Sequence, residues 1–315
     1  MIRTSWWQLI VPGLILGLVL GVSLPAGAAR PGRSVGSREC KILLRIDRFA
    51  DLAAGLRSFW SLVETVARGE GMAITPAAHP TALVKTRFVA FYDTPGFDFY
   101  RRGYMLRRRA GSLPDVVPPR HPQPGRGKFD LTLKFRSRDL QLDQLAVIEA
   151  AGSCDGETKV EEDVVAGPAT IRKVFSLSSK VALKKHPGAQ LRDYLPVYPG
   201  LARLGLPKEA PITPVRDVFV REDLAYPGRI DLDGATGAEA TFSVWSRTTE
   251  SRPFVVEFSF KYDVRRPGKL NQNVYRAGEA ADRLLRALQQ AGTGWISTGK
   301  TKTAMIYQVE VEDPE

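Results

Sequence analysis

Cysteine and histidine are scarce. The 315 residues hold two cysteines, Cys40 and Cys154, and three histidines, His79, His121 and His186. None of the five stands at ligand spacing, which argues against a structural zinc site. The cysteines could form one disulfide in an oxidising compartment or stay separate thiols, and the residues leave both open. Also missing are a G-x-S-x-G nucleophile elbow, an H-E-x-x-H metal helix and any internal repeat. Acid is in deficit: 34 Asp and Glu face 45 Lys and Arg, a net charge of +11. A surface so basic seeks an anion, whether nucleic acid, an anionic membrane surface or a phosphorylated small molecule. At 43% hydrophobic and 25% charged, with 28 Gly and 22 Pro, the composition excludes disordered and fibrous chains and can supply a core.

Long apolar runs are absent except at the N-terminus, where Arg3 precedes a stretch from Trp6 to Leu24 that ends in Pro25-Ala26-Gly27-Ala28. This reads as a secretory signal peptide over 1–28, followed by a Pro/Gly/Arg-rich linker over 29–36 and a single domain over 37–315. The protein is then exported, periplasmic or secreted; the alternative is an uncleaved segment anchoring it to a membrane, its one expected membrane contact. A lipoprotein fits less well, because the first cysteine is as far on as Cys40. Export makes intracellular nucleic acid the least fitting of the three anions.

Hydrophobic periodicity gives a strand at 39–47 and a helix at 49–68, whose Leu52, Leu56, Phe59, Val63 and Val66 share one face. Strands follow at 83–92 and 104–109 around the turn Asp93-Thr94-Pro95-Gly96, then at 129–136, 148–150 and 159–164. The stretch 111–126 reads as a loop, and 169–181 has helical pieces. Further strands fit 215–221, 229–232, 241–247 and 254–262, a second helix fits 274–290, and a last strand fits 301–310. About eight to ten strands with few helices predict an α+β protein: a closed antiparallel β-barrel of about eight strands with helices packed outside.

The polar residues sit on an unexpected side of these strands. Glu257, Ser259 and Lys261 alternate with Val256, Phe258 and Phe260, while Ser37, Glu39, Lys41 and Arg45 oppose Cys40, Ile42, Leu44 and Ile46. Thr132, Lys134 and Arg136 oppose Leu131, Leu133 and Phe135; Arg107 pairs with Arg109, and Lys159 with Glu161 and Asp163. One such strand is an ordinary solvated face. Five of them, with large apolar residues opposite that two amphipathic helices could cover, put the charges inside the barrel. A charged lumen is costly unless its groups are paired, wetted or ligand-bound, which suggests a tunnel for an anion.

These residues resemble the CYTH family, the triphosphate tunnel metalloenzymes. Phe91-Tyr92-Asp93-Thr94-Pro95 and Gly103-Tyr104-Met105-Leu106-Arg107-Arg108-Arg109 are similar to its Y-D-T-P…G…L-R-x-R hairpin, and Leu131-Thr132-Leu133-Lys134 to its L-T-L-K strand. Ser37-Arg38-Glu39-Cys40-Lys41 stands where its E-x-E-x-K signature should begin. The resemblance implies a tunnel that binds triphosphate, polyphosphate or a nucleoside triphosphate, and a metal-dependent phosphohydrolase. It further implies that Lys41, Arg107, Arg109, Lys134 and Lys302 hold phosphate oxygens. Glu39, Glu161, Asp163 and Glu257 would hold Mg²⁺ or Mn²⁺, hard cations that prefer carboxylate oxygens. Two hydroxyls, Ser37 and Ser259, replace expected carboxylates. This favours anion binding over two-metal hydrolysis and leaves a non-catalytic anion-binding module or an envelope interaction protein as alternatives.

Residues 294–301 match the P-loop pattern G-x-x-x-x-G-K-T, but that loop needs a strand before it and a helix after it. A helical pattern precedes it here and a strand is expected to follow, so the match reads as a decoy. The aromatic hairpin 97–104, with Arg101 and Arg102, reads as the closed end of a barrel rather than a stacking platform for bases. Trp60 reads as core.

Overall fold

The computed structural model describes residues 34–111, 128–264, 272–298 and 301–308. The expected signal peptide, most of the expected loop at 111–126, and Lys300 of the P-loop match lie outside them. Ten strands follow one another: β1 Ser37–Leu44, β2 Ile74–Pro76, β3 Lys85–Asp93, β4 Tyr104–Ala110, β5 Phe129–Ser137, β6 Gly156–Ala166, β7 Ile171–Leu183, β8 Thr213–Asp231, β9 Gly237–Arg247 and β10 Pro253–Asp263. The helices are α1 Leu52–Gly69, α2 Leu145–Ile148, α3 Leu191–Tyr194, α4 Gln272–Ala291 and α5 Lys302–Tyr307. Among the described residues no helix is long and apolar enough to cross a membrane.

Nine strands close into a barrel in the order β8-β3-β4-β5-β7-β6-β1-β10-β9, with β9 pairing back to β8 and β2 added at the edge of β8. The expected architecture is present with two corrections. The closed strands number nine, and the barrel is mixed, because β1 runs parallel to β6 with Glu39 beside Asp163. The remaining pairings are antiparallel.

Apolar side chains of the wall point outward, as the alternation requires, and are covered from two directions. On one side Ile42, Phe242, Phe258 and Phe260 pack under Leu56, Phe59 and Val63 of α1 and Ala281, Leu284 and Leu288 of α4. Each such burial contributes about 1.5–3 kcal/mol. Asp51 caps α1 by accepting from the Ala54 N–H at 3.0 Å, which fixes where the covering helix begins. Trp60 is core, tilted against Phe258. On the other side Leu106, Leu133, Phe135 and Leu177 pack against Ile148, Tyr194, Tyr198 and Leu201. There the Tyr198 hydroxyl donates to the carbonyls of Leu131 and Ser179 at 2.8 and 3.0 Å. Cys40 and Cys154 belong to different faces and form no disulfide.

Three elements depart from the periodicity reading. Segment 169–181, expected to carry helical pieces, is strand β7; its buried Ser176 and Ser179 hid the alternation. Segment 148–150 is not a strand but takes in the end of the one-turn helix α2, docked by Leu145, Val147 and Ile148. Segment 301–310 gives helix α5 where a strand was expected, with Thr303, Ala304, Ile306 and Tyr307 buried at helical spacing. The expected strands 215–221 and 229–232 are parts of one strand, β8, which slips register between Ala225 and Gly228. Tyr226-Pro227-Gly228 reads as a break but acts as a bulge.

Candidate functional site

The barrel encloses a cavity of about 330 Å³, and all nine residues singled out from the sequence line it: Lys41, Arg107, Arg109, Lys134, Lys302, Glu39, Glu161, Asp163 and Glu257. The strands set their places. Glu39 and Lys41 are two apart on β1 and face Lys261 and Ser259 across β10, while Arg107 lies opposite Thr132 on β5. Gly103 starts β4 in a left-handed turn at φ 78°, where a side-chain carbon would meet the Arg136 carbonyl at 2.9 Å; this turn aims the two arginines inward. Arg45 is the exception. β1 ends at Leu44, and Arg45 pairs with Asp47 outside the barrel at 2.6 Å.

Ten basic and six acidic side chains line the cavity, so the interior is cationic. Lys41 Nζ stands 2.8 Å from Asp163 and 3.1 Å from Glu39. Lys302 Nζ is 2.6 Å from Glu257 and lies over the Trp245 ring. Lys261 donates to Glu161. Burial alone would push the Asp163 carboxyl up, but Lys41, Lys134 and Arg136 outweigh it and hold it far below the usual carboxylate range. Glu161 is likewise lowered to about 2: burial opposes the shift, and Lys134 and Lys261 drive it. Lys134 moves the other way, down to about 8, because burial outweighs the pull of Asp163.

Arg107 is the group least matched by its surroundings. Its Nε is buried without a hydrogen-bond partner among the described residues, and burial followed by repulsion from Arg109 takes its pKa well below the ordinary value. A guanidinium in that position is a standing site for a bidentate anion. The neighbouring Arg108 points outward, over the Phe129 ring at 4.5 Å.

Four charged lining residues went unread in the sequence: Arg87, Glu157, Lys180 and Glu222. Glu222 is nearly fully buried and accepts from Ser243 Oγ and Trp245 Nε1, both at 3.0 Å, while its other oxygen takes Arg87 and lies 3.5 Å from Arg109 Nε. It thereby fixes Arg87 and offers Arg109 a counter-charge. Glu222 sits in the run Arg221-Glu222-Asp223, which looks like a solvated edge, and Arg87 is followed on its face by Val89 and Phe91. The available signal was the inward series Val220, Glu222, Leu224.

Apolar groups gather at one end. Leu43, Phe91, Met105 and Trp245, from four different strands, line the cavity and pack against Ile306 and Tyr307 of α5. Tyr307 stacks on Tyr100 at 4.3 Å and meets Phe97 edge-on. Its hydroxyl donates to Asp93 Oδ2 at 3.1 Å, and its carbonyl accepts from Arg216. Asp93 also accepts the backbone N–H groups of Thr94, Phe99 and Tyr100. Hence the aromatic hairpin 97–104 is a barrel end. The P-loop match fails on what precedes it, since α4 and not a strand leads into it, although a helix rather than the expected strand follows.

The donor set does not fit the divalent metal that the family resemblance implies. Glu39, Glu161, Asp163 and Glu257 are each matched to an ammonium, Ser37 and Ser259 supply hydroxyls, and among the described residues no group of three Asp, Glu, His or Cys side chains could hold an ion.

No family model and no curated protein matches the sequence. Among solved structures the chain is similar to a Bacillus halodurans protein provisionally assigned as an adenylate cyclase, at 13% identity and TM-score 0.36, over 86% of this chain and 98% of that one. It is also similar to a Hippeastrum protein provisionally assigned as an adenylyl cyclase and described as having a dominant triphosphatase activity, at 12% identity and TM-score 0.40, over 89% of this chain and 99% of that one.

Proposed function

We propose that the barrel is a CYTH-like anion-binding protein whose lumen captures a phosphate-rich ligand: inorganic triphosphate, polyphosphate or a nucleoside triphosphate. One observation carries the reading. Arg107 keeps its Nε buried and unpartnered among the described residues, beside Arg109 in a cavity with ten bases and six acids, an arrangement that costs folding energy until an anion arrives. The order of motifs along the chain supports the same ligand class. With residues 1–28 read as a cleaved signal, the ligand would be met outside the cytoplasm. The two lost carboxylates favour capture over turnover.

Titration calorimetry of sodium tripolyphosphate into the full-length chain, with phosphate release assayed on the same samples, tests this. Arg107→Met should weaken binding at least about tenfold while stabilising the ligand-free protein by on the order of 1 kcal/mol. Wild-type protein that takes up no tripolyphosphate, or a variant that binds it as well as wild type, removes the basis of the reading.

A further inference from the structure

The wall brings carboxylates and ammonium groups together by strand register and by side-chain ion pairs. Glu39 faces Lys261 and Ser259 faces Lys41 across β1 and β10, while Ser37 stands beside Glu161 and Glu39 beside Asp163 across β1 and β6. Of the four carboxylates, Glu39 has a lysine as its register neighbour, while Glu161, Asp163 and Glu257 reach Lys261, Lys41 and Lys302 through side-chain ion pairs. The second Asp163 oxygen is taken as well, by Ser176 Oγ at 2.9 Å, and Ser37 Oγ donates to Glu161 at 3.2 Å. A hard divalent ion needs several oxygens converging on one point; Glu39 and Asp163 converge on Lys41 Nζ, so an ammonium already holds that point, and Glu161 and Glu257 are paired to Lys261 and Lys302.

We propose that this lumen binds its phosphate ligand without a divalent metal, the ammonium groups of Lys41, Lys261 and Lys302 supplying the positive charge themselves. The inference rests on the phosphate reading above. An ammonium has three N–H donors. Lys41 uses two of them on Glu39 and Asp163, and Lys302 and Lys261 use one each on Glu257 and Glu161. All three lysines line the cavity, and their remaining donors can take phosphate oxygens while the carboxylates stay in place. Each lysine is thus held at its post before the ligand arrives, so little side-chain ordering is left to oppose binding. Free Mg²⁺ then acts against the protein: it complexes tripolyphosphate and removes the charge that the lysines recognise.

Three titrations of the full-length chain decide it: sodium tripolyphosphate with chelator, the same with excess Mg²⁺, and Mn²⁺ alone followed by electron paramagnetic resonance. The expected results are binding with chelator, equal or weaker binding with Mg²⁺, and no protein-bound Mn²⁺. Binding that appears or tightens only with Mg²⁺, or a stoichiometric Mn²⁺ site, overturns the proposal. Absence of binding both with chelator and with Mg²⁺ overturns the phosphate reading itself. Lys261→Met should lose about tenfold in the chelator titration and Lys261→Arg should keep most of the affinity; wild-type affinity in the methionine variant, folded as judged by its melting curve, also counts against the proposal.

Discussion

His186 is buried on the outer side of the wall, 5.0 Å from the Tyr92 ring and edge-on to Tyr194 at 5.9 Å. Burial, then the Arg108 charge, lowers its pKa to about 4. The unfolded chain therefore binds a proton near pH 6.5 that the folded chain refuses until about pH 4. The contribution of the neutral ring is complete above pH 6.5 and declines as pH falls through that window, by at most about 1.4 kcal/mol per pH unit. His186→Phe fits the same aromatic nest and carries no proton, so the stability gap between the two proteins should shift in the variant's favour from pH 7 to pH 4.5. Denaturant unfolding at a series of pH values measures it; a constant gap would mean that the ring is protonated in place. At this scale the sequence was legible wherever a polar residue recurred at every second position beside large apolar ones, which is why Lys41, Lys134 and Glu257 could be placed. It was illegible at Arg87, whose face neighbours are apolar, and at Glu222, whose sequence neighbours are both charged.

Among the elements, α5 matters most to the cavity, because one helical turn delivers both Lys302 and the plug. Tyr307→Phe removes only the hydroxyl that Asp93 accepts, a loss of about 1 kcal/mol. Tyr307→Ala also removes the ring held by Phe91, Phe97 and Tyr100, a loss of about 3–5 kcal/mol. If the ring rather than the hydroxyl holds Lys302 over Trp245, tripolyphosphate affinity should fall in the alanine variant and survive in the phenylalanine one. Calorimetry on both, with melting curves as control, separates these, and equal losses would contradict the plug's role in placing Lys302. The helical character of 302–307 escaped the sequence because Thr303, Ile306 and Tyr307 are β-formers by propensity; only packing inside the barrel end makes them a helix. For β7, two buried serines broke the pattern. The outward faces of β1, β5 and β10 were legible because covering helices demand bulky apolar residues there.

For the whole molecule, if the apolar cluster of Ile306 and Tyr307 shuts one end of the cavity, the barrel admits a chain terminus rather than a strand threaded through. Affinity should rise from phosphate through pyrophosphate to tripolyphosphate and then level off, since longer chains leave their excess outside. A calorimetric length series checks this, and affinity that keeps climbing steeply with chain length would argue for a through-channel. The closed barrel and its charged interior were legible in the sequence as a whole. The parallel pairing was not, because it joins residues far apart and leaves no local trace.

That pairing governs the order in which the protein can come into being. β1 is made first, yet it lies between β6 at 156–166 and β10 at 253–263. Until β10 has been synthesised, the first strand has an unsatisfied edge, and the wall cannot close around any interior. Contacts of such long range form slowly, so most of the chain must be present before any of the barrel is stable. An incomplete chain of this topology lacks the closed wall, so the cavity and its charged lining come into being together, once β10 is in place.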